Sequence, residues 1–299
     1  MKRILLLILT NFLIMLLLGT ALVVAQVVFG VQFRGWGGYL VIASIFGFGG
    51  AFVSLAISKM VAKWTTGAQV ITAPANEVER WLVDVVARQA QAAGIKMPEV
   101  AIYPGQEVNA FATGPTRNNS LVAVSEGLLN AMSRDEAEAV LAHEVSHVAN
   151  GDMVTMTLLQ GTLNTFVLVA ARAVGLVVDK AIFRNEGGPG IGYFVANIAA
   201  QLVFGMLASL VTMAFSRHRE YRADAGGAQL AGREKMVAAL RRLQHNAGGE
   251  EELPKSIQAF GISGTFKSLF SSHPPLEERI RALENLPATP ASSANWVQG

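Results

Sequence analysis

His143, Glu144 and His147 form an H-E-x-x-H motif within Leu141-Ala142-His143-Glu144-Val145-Ser146-His147. On a helix, residues four apart share a face, so both imidazoles can aim a ring nitrogen at one metal ion. Glu144, one step round from His143, can reach a water on that metal and take its proton. The plain alternative is two surface histidines beside a charge on an amphipathic helix. A catalytic zinc needs three protein ligands and an open position for water. The motif therefore predicts a third ligand elsewhere in the chain.

Composition narrows the candidates. Cysteine is absent, which removes disulfides, thiol catalysis and thiolate metal sites and leaves His, Asp and Glu as ligands. The 299 residues are 52% hydrophobic and only 15% charged, against about 25% charged in ordinary soluble chains. That balance favours a modest folded domain joined to membrane spans. The net charge is +2, and no basic run with interleaved aromatics occurs, so nucleic acid is not an expected partner.

The elements that must position the motif follow from the chain in order. An apolar run over residues 4–25 is long enough to cross a bilayer, which takes about 20 residues, and a second covers residues 36–58. In the second, Ala43, Gly47 and Ala51 recur every four residues, with Gly50 and Ser54 alongside, which lets another helix approach closely. Lys59 and Lys63 follow it, whereas the preceding connection carries only Arg34. By the positive-inside tendency, the N-terminus and the chain after Lys59 face the cytoplasm. From residue 59 to 152 the composition turns soluble. A helix is expected between Pro74 and Gly94, then strands at Val100–Tyr103, Asn109–Thr113 and Ser120–Val124, then a short helix from Glu126 to Met132. Ser133 and Glu136 make a capping box that starts the motif helix, which ends near Asn150-Gly151.

Two further apolar stretches, residues 153–178 and 191–215, form a second hairpin, and residues 216–299 complete the cytosolic part. Gln160, Asn164, Arg172, Asn197 and Gln201 make these stretches less uniform than the first two. A hairpin of two crossings returns the chain to the side it left. Glu220 then lies just past the hairpin, as His147 lies just before it, with Asp224 four residues on. Glu220 is expected as the third ligand and Asp224 as an acceptor that fixes a ligand histidine. The fold expected is a mainly α membrane protein with four transmembrane or hydrophobic helices. A cytosolic α+β zincin-like part with a small β-sheet completes it.

The ordered set His143-Glu-x-x-His147, hydrophobic hairpin, Glu220-x-x-x-Asp224 and Ser272-His-Pro-Pro275 resembles the HtpX family of bacterial heat-shock membrane proteases. That family belongs with the CAAX prenyl endopeptidase-like zinc metallopeptidases, a glutamate-zincin group. The resemblance spans nearly the whole chain, including Asn109-Ala-Phe-Ala-Thr-Gly114. It implies one zinc per subunit and endoproteolysis of misfolded or damaged membrane proteins at the cytoplasmic face of the inner membrane. The implied ligands are His143, His147 and Glu220, with Glu144 as base. Membrane-protein substrates, the bilayer and partner quality-control proteases are the partners implied. Asn109, Ala110, Phe111 and Ala112 are a candidate substrate-pairing strand. His273 is a candidate oxyanion stabiliser or removable zinc cap.

Two rivals remain. An intramembrane-cleaving protease would carry the motif inside a span, but Asp135, Glu136, Glu138, Asn150 and Asp152 surround it here. A non-enzymatic membrane scaffold or holdase would carry a structural metal closed by four protein ligands.

Overall fold

The computed structural model describes residues 20, 27, 35–185, 189–246 and 274–287. The apolar run 4–25 lies almost wholly outside the described residues, and His273 lies outside them. The chain divides into two compact units. One comprises Met1–Ala56 and Thr155–Thr212, and the other Ile57–Val154 and Met213–Gly299. We call them the hydrophobic unit and the site-bearing unit.

In the site-bearing unit, α3 (Glu77–Ala92) starts at Asn76, whose side chain accepts from the Glu79 amide. It buries Leu82, Val85, Val86, Gln89 and Ala90, the stripe that 3.6 residues per turn presents to a core. A mixed four-stranded sheet runs in the order β1 (Gln69–Val70), β2 (Glu99–Tyr103), β4 (Asn119–Ser125), β3 (Ala110–Thr116). β2 and β4 are parallel, with Ala101 opposite Ala123, and the other pairs are antiparallel. Every β4 residue after Asn119 is buried, as a strand covered on both faces requires. β1 and β3 are the two edge strands. The three expected strands are present; β1, two residues long, is too short to show a period in sequence.

The sheet leads through α4 (Glu126–Ala131) into α5 (Arg134–Asn150), which carries the motif. The Ser133 and Glu136 side chains cap each other's backbone as a full capping box. Gly151 ends the helix at φ 68°, a left-handed conformation that glycine adopts without steric cost. One apolar cluster joins α5 to α3 and the sheet through Leu82, Val86, Val122, Leu141 and Val145. A second joins it to α4, α8 (Arg233–Asn246) and α9 (Leu276–Glu284) through Leu128, Ala139, Met236, Leu240 and Leu283. Packing on two sides fixes the orientation of α5, and with it the directions of its polar side chains.

In the hydrophobic unit, α1 (Gly35–Ser44), a π-helical turn (Ile45–Gly49) and the start of α2 (Gly50–Thr66) pack on α6 (Asp152–Ala181). A Cβ on Gly47 would collide with Thr165 and the Gly161 carbonyl, and one on Gly161 would collide with Phe48. The small-residue rhythm thus lies at a close helix crossing. α7 runs unbroken from Ile191 to Ala231. Among the described residues, three helices are long and apolar enough to cross a membrane: Gly37–Ala56, Asp152–Ala181 and Ile191–Ala231. They match three of the four expected hydrophobic helices.

Candidate metal centre

α5 supplies His143, Glu144 and His147, α7 supplies Glu220 and Asp224, and α9 supplies Arg279. The approach of α7 to α5 depends on Gly226 and Gly227. A Cβ at Gly226 would collide with the Ser146 side chain, and one at Gly227 would lie 3.1 Å from the His143 amide nitrogen. With glycines at both positions, α7 lies close enough for Glu220, 1% exposed, to reach both histidines.

His143 Nε2 is 3.1 Å from His147 Nε2. Glu220 Oε2 is 3.5 Å from His143 Nε2, and Glu220 Oε1 is 3.3 Å from His147 Nε2. Ligands about 2.0–2.1 Å from a tetrahedral zinc stand about 3.3 Å from one another. The three separations are therefore close to the edges of one such tetrahedron, and the donor set, two imidazoles and a carboxylate, is a known catalytic zinc set.

The outer nitrogens decide the tautomers. His147 Nδ1 is 2.6 Å from Asp152 Oδ2; a carboxylate only accepts, so the nitrogen donates and carries the proton. His143 Nδ1 faces Asp224 Oδ1 at 2.9 Å, a close charge contact rather than a well-aligned hydrogen bond. With both Nδ1 atoms protonated, the neutral rings turn two Nε2 lone pairs toward each other and toward a carboxylate. Such a cluster calls for positive charge at its centre. The histidines respond accordingly. Burial, the largest single influence, pushes the His143 pKa down, but Asp224 and Glu220 outweigh it and raise it to about 9. His147 is raised in the same way: burial opposes, while Asp152 and Glu220 prevail. A divalent cation satisfies the same demand, and the residues fit one.

Each histidine is backed by a carboxylate that is itself held. Asp224, 2% exposed, accepts from Arg279 Nε at 2.8 Å and Nη2 at 2.6 Å. Burial would raise the Asp224 pKa, but Arg279 and His143 draw it below the usual carboxylate range. Arg279 Nη1 also lies 3.6 Å from Glu220 Oε2. Asp152, fully buried, pairs with Arg222. Reasoning from sequence missed both Arg279 and the role of Asp152. Asp152 carried a signal, since it opens α6 directly beyond the Gly151 cap, five residues from His147. Arg279 carried none that was local.

Glu144 is half-buried and lines a cleft of about 160 Å³ with His143, Glu220, Asn109 and Ala110. Phe111 turns to Tyr103, with ring centroids 5.6 Å apart, and Ala112 pairs with Val122 of β4. His218 and His245 are exposed, and the Tyr221 hydroxyl donates to Glu278.

The model of Peptidase family M48 matches residues 76–287. Protease HtpX of Stenotrophomonas maltophilia (strain R551-3) is 63% identical over 257 residues, covering 85% of this chain and 89% of that protein. Protease HtpX of Xanthomonas campestris pv. campestris (strain B100) is 59% identical over 287 residues, covering 94% and 97%. Among solved structures, the crystal structure of S. mikatae Ste24p aligns with a TM-score of 0.63 at 18% identity. That alignment covers 82% of this chain and 58% of Ste24p, and shows a shared fold. With a family model over most of its length and relatives of this identity, the chain belongs to peptidase family M48.

Proposed function

We propose that the chain is a zinc-dependent endopeptidase of the inner membrane that cleaves misfolded or damaged membrane proteins under stress. One observation carries the chemistry: His143, His147 and Glu220 converge at 3.1–3.5 Å beside Glu144. His143, His147 and Glu220 would hold the zinc, with Asp152 and Asp224 orienting the two imidazoles. Bound there, zinc supplies a polarised water of lowered pKa and a Lewis acid for the scissile carbonyl.

The protein's own groups perform the proton traffic. The Glu144 carboxylate accepts the proton of the attacking water and returns it to the amine nitrogen as the C–N bond breaks. Water adds one hydroxyl to the carbonyl carbon and one hydrogen to the nitrogen, and Glu144 ends as it began. β3 is the edge strand on the cleft side, and its entry, Asn109 and Ala110, lines the cleft. An extended substrate would add to that edge over Asn109–Ala112 by backbone hydrogen bonds. His273 is assigned to oxyanion stabilisation or capping of the zinc.

Placement at the cytoplasmic face rests on Lys59 and Lys63 after one apolar helix and on Arg217, Arg219 and Arg222 after another. Partner quality-control proteases follow from the same reading. The scaffold alternative calls for a fourth protein ligand, and among the described residues only His143, His147 and Glu220 offer atoms to a common metal.

Glu144→Gln tests the reading in purified, detergent-solubilised protein. The expected result is a kcat lower by about 10²–10⁴-fold with zinc content unchanged. Full peptidase activity with zinc bound removes Glu144 as the base.

A further inference from the structure

The apolar stretches 36–58, 153–178 and 191–215 contain one charged residue, Arg172. It lies on α6 two turns before Asp179, about 10 Å along the axis and toward the end of the helix away from Asp152. Its Cζ sits 4.1 Å from the centroid of the Tyr39 ring. The Tyr39 hydroxyl donates to the Leu168 carbonyl at 2.9 Å, one turn back on α6. The ring therefore covers one face of the half-buried guanidinium, a cation–π contact, and leaves the N–H donors around its edge to other acceptors. Among the described residues, no carboxylate pairs with Arg172. Asp179 is engaged elsewhere: it accepts from Asn185 Nδ2 at 3.0 Å and from the Gly190 and Tyr193 amides at 3.0 and 3.1 Å.

A lone guanidinium within an apolar helix is costly without a counter-charge. We propose that Arg172, seated on Tyr39, binds the phosphodiester headgroup of an anionic phospholipid in the leaflet at that end of the spans. Arginine presents a planar fork of donors that matches two phosphate oxygens, and the Tyr39 ring holds the fork in one plane. The depth fits such a ligand. Tyrosine rings belong at the headgroup level, and from two turns inside the helix end a long arginine side chain reaches the same layer. Leu40 and Val41, next to Tyr39, are each 47% exposed and offer apolar surface to the acyl chains. A headgroup of net negative charge neutralises the guanidinium, whereas a zwitterionic one brings an ammonium with it and gains less. Once bound, the headgroup reinforces the contact of α1 with α6 at the point where Tyr39 meets Arg172.

The test mixes the purified full chain with equal amounts of phosphatidylglycerol and phosphatidylcholine of matched acyl chains, then counts the lipids retained by native mass spectrometry. Phosphatidylglycerol should be retained over phosphatidylcholine by at least about fivefold, the equivalent of about 1 kcal/mol for one basic residue at an anionic surface. Arg172→Gln should bring that ratio toward one. Tyr39→Leu, which keeps the charge but removes its seat, should fall between. A second measurement stands beside these in case Arg172→Gln impairs folding. The melting temperature of the unaltered protein in detergent should rise with phosphatidylglycerol and not with phosphatidylcholine or inorganic phosphate. Equal retention of the two lipids, a preference that survives Arg172→Gln, or an equal rise with inorganic phosphate overturns the lipid site. A preference that appears only in Glu186→Gln overturns it as well, because Glu186 would then be the partner of the guanidinium.

Discussion

Among the described residues of the hydrophobic unit, the buried apolar positions are Ala43, Ala171 and Ala200, while Phe194, Ile198 and Leu202 are 57–67% exposed. The site-bearing unit does the opposite, with Leu82, Leu121, Leu141 and Val145 at 0%. Large side chains turned outward are stable only where the surroundings are as apolar as they are, and small ones inside let helices approach closely. Polar groups differ in the same way. In the hydrophobic unit, Gln160 donates to Asn164 four residues on, along its own helix. In the site-bearing unit, Asp224 and Arg279 meet across two helices and are both buried. One unit turns its large apolar side chains outward, as lipid surroundings allow, and the other buries Glu220, Asp224 and Arg279 together at the edge of a cleft.

Asp224→Ala should produce the largest loss of stability, because it leaves the buried Arg279 guanidinium without its bidentate acceptor. About 3–5 kcal/mol is expected for a buried charge stripped of its partner. Zinc affinity should fall about 10–100-fold with the loss of the group behind His143. Thermal unfolding in detergent and zinc competition with a chelating dye read the two effects. A large loss of zinc affinity with unchanged stability would show that Arg279 has another acceptor.

The sharpest contrast between the units comes from one substitution made twice. Leu141→Ala, in the apolar cluster that joins α5 to α3 and the sheet, should cost about 2–5 kcal/mol. Leu202→Ala, 67% exposed, should change stability in detergent by less than about 0.5 kcal/mol. Equal costs at the two positions would mean that Leu202 is packed against protein.

The motif helix was legible because its signals are local. The capping box at Ser133, the i, i+4 histidines and the Gly151 stop all lie within one helix. Glu220 was legible only through topology, since a hydrophobic hairpin that returns on itself brings distant residues to one side. Arg279 was not legible, because nothing near it in sequence marks a guanidinium that will be buried against Asp224. Asp152 was read as a polar boundary to an apolar stretch, and its bond to His147 emerges only once the left-handed Gly151 turns the chain into α6. The paired glycines at Gly226 and Gly227 had the same difficulty. Their purpose is the space they leave for α5, and that becomes visible only when the two helices are side by side.

In the proposed site, one zinc would be held by two residues of α5 and one of α7. Metal content of purified Glu220→Ala, measured by plasma emission with the melting temperature recorded alongside, tests it most directly. Zinc should fall from one per chain to a small remainder, with peptidase activity lost in step. Unchanged zinc occupancy in the folded variant would contradict it.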